Sequence, residues 1–148
     1  MTKVLVIHGP NLDMLGIREP AIYGDQDLRT IDQLIEKEAE ALQLEVRTVQ
    51  SNHEGAIIEA IHDAHSWADA IIINPAGYTH TSVVILDALE AVRLPAIEVH
   101  LSNIWAREKF RTRSVTARAC VGVVSGFGAL SYVLALRAAK DIVERRRQ

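Results

Sequence analysis

Five short runs of mostly apolar, β-branched residues alternate with longer segments that have helical spacing, and this alternation constrains the fold more than any other feature. A run that stays apolar at successive positions predicts a strand buried on both faces of a sheet. Such strands, alternating with helices, are typical of a parallel sheet with crossover helices. The predicted strands are Lys3 to His8, Leu44 to Gln50, Ala68 to Asn74, Ala96 to His100 and Ala119 to Val124.

The segments between these runs place apolar residues at helical spacing, which predicts amphipathic helices. The predicted helices are Leu28 to Leu42, Ser51 to His65, Ser82 to Val92 and a closing helix, Gly128 to Arg147. Ser51 and Glu54 match a capping box, so we expect them to form the start of the second helix. The whole pattern indicates an α/β fold with a five-stranded parallel sheet between two helical layers.

A single domain, residues 1–148, is expected, because the chain has no repeat, linker or low-complexity segment and can bury one continuous core. The net charge of -3 gives no broad cationic surface, so nucleic acid is not an expected partner. A membrane is not expected as a partner either, because no apolar run reaches spanning length or resembles a signal-peptide core. A cytoplasmic location fits these features, and the single cysteine, Cys120, is expected to be buried and unreactive.

Polar side chains gather where three of the predicted strands end. If the strand order is 2-1-3-4-5, as in flavodoxin-like folds, ligands are expected at the carboxyl ends of strands one and three. The polar residues at or after the ends of strands one, three and four are Asn11, Arg18, Tyr23, Asn74, His80, Glu98, His100, Ser102 and Asn103. The segment from Gly9 to Gly24 contains two prolines and is expected to be a long mobile loop that covers this site as a lid.

Five blocks of residues occur in a characteristic order along the chain. They are Gly9-Pro10-Asn11-Leu12 with Leu15-Gly16, Arg18-Glu19-Pro20 and Tyr23-Gly24; Gln50-Ser51-Asn52-His53-Glu54-Gly55; Asn74-Pro75 with Tyr78-Thr79-His80-Thr81-Ser82; Glu98-Val99-His100-Leu101-Ser102-Asn103; and Ala106-Arg107-Glu108 with Phe110-Arg111. Together they span nearly the whole chain, and this ordered set resembles the type II 3-dehydroquinate dehydratases.

The resemblance implies a flavodoxin-like fold and assembly into dodecamers built from trimers, with no metal and no cofactor. It implies that the substrate, 3-dehydroquinate, loses water by anti elimination through an enolate and becomes 3-dehydroshikimate. The sequence leaves open whether such an enzyme serves aromatic biosynthesis by the shikimate pathway or quinate breakdown, since both use this conversion.

Such an elimination needs a base for the α-carbon proton, a group that stabilises the enolate, and an acid for the departing hydroxyl. By resemblance Tyr23 is the base and Arg18 activates it, because a guanidinium favours the phenolate form of a nearby tyrosine. Asn11 is expected to hold a water that stabilises the enolate oxygen. His100 is the expected general acid, and Glu98, two positions earlier on one strand, is expected to orient its imidazole.

The resemblance also implies which residues bind substrate. The backbone N–H groups of Leu101 and Ser102, the Ser102 hydroxyl and the side chain of Asn74 are expected to receive the substrate carboxylate.

Three further residues are expected to bind the substrate away from its carboxylate. His80 and Arg111 would bind the ring hydroxyls. Asp87, on the helix from Ser82 to Val92, would reach the site of a neighbouring subunit in the trimer.

Local sequence alone also permits plainer interpretations. His100 after a buried strand is typical of a hydrogen-bonded core histidine. His62 and His65 lie i, i+3 on a predicted helix and suggest a metal, but no third ligand has a suitable spacing, so a solvated face is expected. A flavin-binding module and a receiver-type signalling domain are alternative classes, and a Schiff-base dehydratase would need a lysine in an apolar pocket.

The chain departs from the common family pattern at six positions. These are His8 and Asp13, where asparagine is common; Trp105, where histidine is common; Thr112 and Arg113, where a histidine pair is common; and Arg118, where proline is frequent. We expect these positions to border the lid or the later interface segments and to alter lid movement, assembly or pathway role. The reaction itself is expected to be preserved.

Overall fold

The computed structural model describes residues 1–17, 19–23 and 26–148. Five parallel strands form one sheet in the order β2-β1-β3-β4-β5. The strands are β1 Thr2–His8, β2 Leu44–Gln50, β3 Ala70–Asn74, β4 Ala96–His100 and β5 Gly122–Ser125. This order confirms the predicted flavodoxin-like topology, and it places β1 beside β3 at the point where the strand order reverses.

Helices cover both faces of the sheet and complete a three-layer arrangement. The helices are α1 Pro20–Tyr23, α2 Leu28–Leu42, α3 Glu54–Ala64, α4 Val83–Val92 and α5 Leu130–Arg146. Successive strand residues point to opposite faces, so Val4 and Val6 pack with α2 and α5. Leu5 and Ile7 pack with α3 and α4 on the other face.

The third and fifth strands begin later than their apolar runs. Ala68 lies after the turn that ends α3, and its N–H donates to the carbonyl of Ala64, the last residue of that helix, at 2.8 Å. Residues Ala117–Ala119 form a 3-10 turn, so the expected strand start at Ala119 is wrong. β5 is an edge strand with Val123 37% exposed, and not a strand buried on both faces.

The predicted capping box at Ser51 and Glu54 is also wrong. α3 begins at Glu54, and the Ser51 hydroxyl accepts a hydrogen bond from the N–H of His53, which lies before the helix. Glu54 Oε2 instead accepts the hydroxyl hydrogen of Ser82 at 2.6 Å. Ser82 is the N-cap of α4, since its Oγ accepts from the N–H of Ile85 at 3.1 Å. The glutamate therefore joins two helices and does not cap its own.

The segment after β1 contains short helical turns where a long irregular loop was expected. Leu12–Met14 form a 3-10 turn, and α1 follows within the same segment. Leu12 and Leu15 are buried in the core beneath α2 and α5. Arg18 and Gly24 lie outside the described residues, and lid movement stays a prediction.

Cys120 is partly buried and can form no disulfide within the chain, which has no second cysteine. Burial, with a smaller contribution from the charge of Glu98, raises the pKa of the Cys120 thiol to about 12. A thiol with that pKa is almost entirely protonated at neutral pH and is a poor nucleophile. Across the described ranges, none of the helices is long and apolar enough to cross a bilayer.

Candidate active site

A cleft of about 140 Å³ opens at the carboxyl ends of β1, β3 and β4, where the strand order predicts a ligand site. Its lining residues are Asn11, Leu12, Tyr23, Asn74, Ala76, Gly77, His80, His100, Leu101, Ser102, Ile104, Arg107 and Arg111. Eight residues that the sequence nominated for the site are among them. The fold thus brings side chains from distant parts of the chain into one concave surface.

Close contact between two loops forms the base of this cleft. The N–H of Gly9, directly after β1, donates to the carbonyl of Asn74 at 2.8 Å. A Cβ atom on Gly9 would lie 2.7 Å from that oxygen and 2.8 Å from the carbonyl carbon of Pro75. Because both neighbours are backbone atoms, only glycine fits at this position. Gly9, the first residue of the first sequence block, is therefore required for the close packing of these two backbone segments.

Asn11 follows in the same loop, in a left-handed backbone conformation with φ 67° that asparagine tolerates. Its N–H donates to Asn52 Oδ1 at 2.9 Å. Gln50 Nε2 donates to that same oxygen and to the carbonyl of Gly9, both at 3.2 Å. Residues after β2 thus brace the loop that carries Asn11, which gives the second sequence block a structural function.

His100 and Glu98 form a buried pair at the end of β4. His100 Nε2 lies 2.9 Å from Glu98 Oε2 and must be the donor, because a carboxylate only accepts. The Ser114 hydroxyl donates to the same carboxylate at 2.8 Å, and the Thr116 hydroxyl also donates to it. Glu98 is fully buried behind His100 and does not itself line the cleft. With Nε2–H bound to Glu98, Nδ1 is the nitrogen of His100 that is left for a ligand.

Tyr23 enters the cleft from α1, beneath a guanidinium that the sequence did not nominate. Arg107 Cζ lies 4.9 Å from the centroid of the Tyr23 ring. The Arg107 side chain is 12% exposed, and its Nη1 donates to Ser102 Oγ at 3.5 Å. Its buried Nε has no hydrogen-bond partner among the described residues. Arg107 is part of the fifth sequence block, and its position there was the one available sign of a role in the site.

Asn74 presents its amide to the cleft in one fixed orientation. Its Oδ1 accepts from the N–H of Ala76 at 3.1 Å, which identifies the other amide atom as Nδ2. Nδ2 donates one hydrogen to the hydroxyl of Tyr132 at 3.1 Å. Because an amide nitrogen carries two hydrogens, a second one is left for a ligand.

His80 and Arg111 lie on the wall of the cleft, each at the end of a 3-10 turn, one after β3 and one after β4. His80 Nδ1 donates to the carbonyl of Arg113 at 2.8 Å, so Nε2 of the neutral ring is an acceptor. Arg111 Nε donates to Glu108 Oε2 at 3.0 Å. That hydrogen bond lowers the pKa of the Glu108 carboxyl. Leu101 and Ser102, directly after β4, complete this wall.

Besides the buried Glu98, two of the nominated residues are not placed in the cleft. Asp87 is exposed on α4 and does not line it, and its contribution to a neighbouring subunit stays a prediction. Arg18 lies outside the described residues. In the part of the chain that the structure describes, no three His, Cys, Asp or Glu residues are grouped as a metal site would require. His62 and His65 are both exposed, as expected of a solvated face.

His8 occupies a different environment from the one its sequence position suggested. His8 directly precedes the segment Gly9 to Gly24, but its side chain is 1% exposed at the end of β1 and lies in the core. Its ring contacts Asp32 and Tyr132, below the cleft. The departures that do lie at the surface are Asp13, Trp105, Arg113 and Arg118, while Thr112 is half-buried.

Comparison with known proteins identifies the family to which this arrangement belongs. The family model described as Dehydroquinase class II matches residues 2–140. The chain belongs to the class II dehydroquinases. A 3-dehydroquinate dehydratase of Caldicellulosiruptor saccharolyticus is 56% identical over 144 residues, which cover 97% of this chain and 99% of that protein. One from Thermoanaerobacter pseudethanolicus is 55% identical over 140 residues, 95% of each chain.

Solved structures of class II dehydroquinases have the same fold. A type II dehydroquinase from Butyrivibrio crossotus matches with a TM-score of 0.92 and 45% identity, covering 93% of this chain and 97% of that one. The family match identifies this dehydroquinase as an enzyme, which sets aside the flavin-binding and receiver-domain alternatives. Among the described residues that line the cleft there is no lysine, which disfavours a Schiff-base mechanism.

Proposed function

We propose that this dehydroquinase converts 3-dehydroquinate to 3-dehydroshikimate by anti elimination of water through an enolate. The observation that carries the proposal is that a tyrosine under a guanidinium and a histidine backed by a carboxylate line one cleft. Those two pairs are the base and the acid that an elimination beside a ketone requires. The mechanism uses neither metal nor cofactor.

The first step is removal of a proton from the carbon beside the ketone. We assign Tyr23 as the base, in its phenolate form. Arg107 supports this role because its positive charge lies over the Tyr23 ring and favours the anion. The family resemblance assigns the same activating role to Arg18. The electron pair of the broken C–H bond moves to the ketone oxygen, which becomes the enolate.

The enolate oxygen needs a hydrogen-bond donor in place of a metal ion. Asn11 lines the cleft on a braced loop and is assigned to hold a water that donates to this oxygen. A donor held in position before reaction stabilises developing charge without reorganisation, which is why preorganised sites are effective.

The second step expels the hydroxyl group as water. We assign His100 as the acid, delivering the proton from Nδ1, because its Nε2–H is bound to Glu98. Glu98 stabilises the imidazolium before transfer and keeps the ring in one orientation. The enolate electrons then form the new carbon–carbon double bond, and the product is a conjugated enone.

Binding groups surround these reacting groups. The substrate carboxylate is assigned to the backbone N–H groups of Leu101 and Ser102, the Ser102 hydroxyl, and the second amide hydrogen of Asn74. The ring hydroxyls are assigned to His80 and Arg111, which line the same cleft.

Assembly and cellular context are further parts of the proposal. The exposed position of Asp87 on α4 is compatible with a contribution to a neighbouring site in a trimer, within a dodecamer. A cytoplasmic enzyme of the shikimate pathway or of quinate breakdown would need no partner other than its substrate and copies of itself.

Formation of the enone is the direct test. Purified protein mixed with 3-dehydroquinate should produce the ultraviolet absorbance of a conjugated enone, and EDTA should not change the rate. Tyr23→Phe should nearly abolish turnover, because it keeps the ring beneath Arg107 and removes only the hydroxyl. Tyr78→Phe is the matched control, since Tyr78 does not line the cleft. A wild-type protein that forms no enone would overturn the reaction, whereas normal turnover by Tyr23→Phe would overturn only the base.

A further inference from the structure

A continuous line of hydrogen bonds runs from helix α2 through the core to the floor of the cleft. Asp32 Oδ1 on α2 lies 2.7 Å from His8 Nε2, and His8 Nδ1 lies 2.9 Å from the hydroxyl of Tyr132 on α5. That hydroxyl lies 3.1 Å from Asn74 Nδ2. His8 and Tyr132 are each 1% exposed, and Asn74 is 3% exposed. The line thus joins a partly exposed carboxylate to an amide that lines the substrate cleft.

The direction of each hydrogen bond follows from its two ends. At the cleft, Asn74 Oδ1 accepts from the N–H of Ala76, so Nδ2 must be the donor to Tyr132. At the other end, the Asp32 carboxylate only accepts, so His8 Nε2 is the donor there. Both ends are fixed independently, and the remaining hydrogen bond lies between His8 and Tyr132.

The tyrosine hydroxyl sets the direction of that central hydrogen bond. Burial raises the pKa of Tyr132, so it remains a phenol with one hydrogen to donate. The hydroxyl already accepts from Asn74, and His8 Nδ1 is its acceptor among the described groups. All donors then point one way, from Asn74 to Tyr132 to His8 to Asp32, and both ring nitrogens of His8 and the hydroxyl of Tyr132 have partners. A buried hydroxyl left without an acceptor would be costly.

We propose that His8 is a positioning residue for catalysis, which acts through Tyr132 to fix the amide of Asn74 for binding of the substrate carboxylate. Asp32 sets the tautomer of His8 that can accept from the tyrosine. The inference rests on the proposed function, in which Asn74 donates its second amide hydrogen to the substrate. If Asn74 Nδ2 lost the Tyr132 hydroxyl as its acceptor, the amide of Asn74 would be free to rotate. It would then present Oδ1 to the cleft, and this oxygen would repel the substrate carboxylate.

The test compares side chains of nearly equal shape at position 8. His8→Asn keeps an acceptor where Nδ1 was, whereas His8→Leu places a methyl group there. We expect KM for 3-dehydroquinate to rise about tenfold in His8→Leu, with kcat within about twofold of wild type. His8→Asn should keep KM within about threefold of wild type, because the tyrosine retains its acceptor.

Tyr132→Phe interrupts the same line from its middle while keeping the ring. It should raise KM by a similar factor, and adding His8→Leu should raise KM no further, because two residues that act through one path are not additive. Thermal unfolding identifies any variant that does not fold. If His8→Leu fails to fold, His8→Ala replaces it, since it also removes the acceptor of the tyrosine hydroxyl. An increased KM in His8→Ala supports the inference, and an unchanged KM contradicts it.

Three outcomes would contradict the role of His8 and leave the proposed reaction unaffected. These are an unchanged KM in His8→Leu, equal increases in His8→Leu and His8→Asn, or multiplying effects in the double variant. A wild-type protein that does not turn over 3-dehydroquinate would instead overturn the proposed function.

Discussion

The guanidinium of Arg107 lies over the ring of Tyr23, with Cζ 4.9 Å from the ring centroid. The two residues are far apart in the sequence, and the turn after β4 brings the arginine over the helix that carries the tyrosine. A cation at this distance stabilises negative charge on the phenol, and the low exposure of Arg107 reduces screening by water.

Replacing this arginine should therefore slow proton abstraction. We expect Arg107→Gln to lower kcat at neutral pH by about 10- to 100-fold, because the variant no longer stabilises negative charge on the base. Steady-state rates at saturating 3-dehydroquinate would measure this loss. Arg146→Gln, which changes an exposed arginine at the end of α5, is the control. An unchanged kcat in Arg107→Gln would show that Arg107 does not activate the base.

Glu98 should act on the reaction through His100. Glu98→Gln removes the charge that stabilises the imidazolium, and we expect kcat to fall about 100-fold with little change in KM. In a His100→Asn background the same substitution should have no further effect on kcat. Glu59→Gln, on the exposed face of α3, controls for loss of a carboxylate. Independent, multiplying losses would show that Glu98 acts by a route other than the imidazole.

Ser82 should stabilise the fold by connecting two helices. Its Oγ caps α4 and donates to Glu54, so Ser82→Ala removes a cap and leaves a carboxylate without a partner. We expect a loss of about 2 kcal/mol in the free energy of unfolding, measured with urea at fixed protein concentration. Ser66→Ala is the control, because that exposed hydroxyl contacts only a nearby carbonyl. A loss no larger than in the control would contradict this role.

Cys120 should be unreactive in the folded protein. With its pKa raised to about 12, roughly one thiol in 10,000 is ionised at pH 8, and thiolate is the reactive form. An aromatic disulfide reagent at pH 8 should release chromophore slowly from native protein and rapidly in guanidinium. Cys120→Ser should release none in either condition. Rapid release from the native wild type would show that the thiol is more accessible than its position indicates.

Sequence patterns predicted most of the architecture because those patterns are local. The predicted runs located β1, β2 and β4 to within a residue at each end. For β1 and β4, continuous apolarity reports burial on both faces, whereas the edge strand β2 has one exposed face. The same reasoning was wrong for β5, where an apolar run at a sheet edge remains partly exposed. It was also wrong for Ser51 and Glu54, because a spacing shared with capping boxes does not reveal that Glu54 has a stronger partner on another helix.

The sequence by itself determined the alternation of strands and helices, the end of the sheet at which a site forms, and, through its ordered blocks, the family. These three properties follow from side-chain periodicity and from residue identity, both of which can be read without knowing which elements pack together. Only the tertiary structure decided that Arg107 covers Tyr23 and that His8 bonds to Tyr132, 124 residues away. Periodicity shows which face of an element is buried, but the partner of a buried polar group depends on how distant elements pack together.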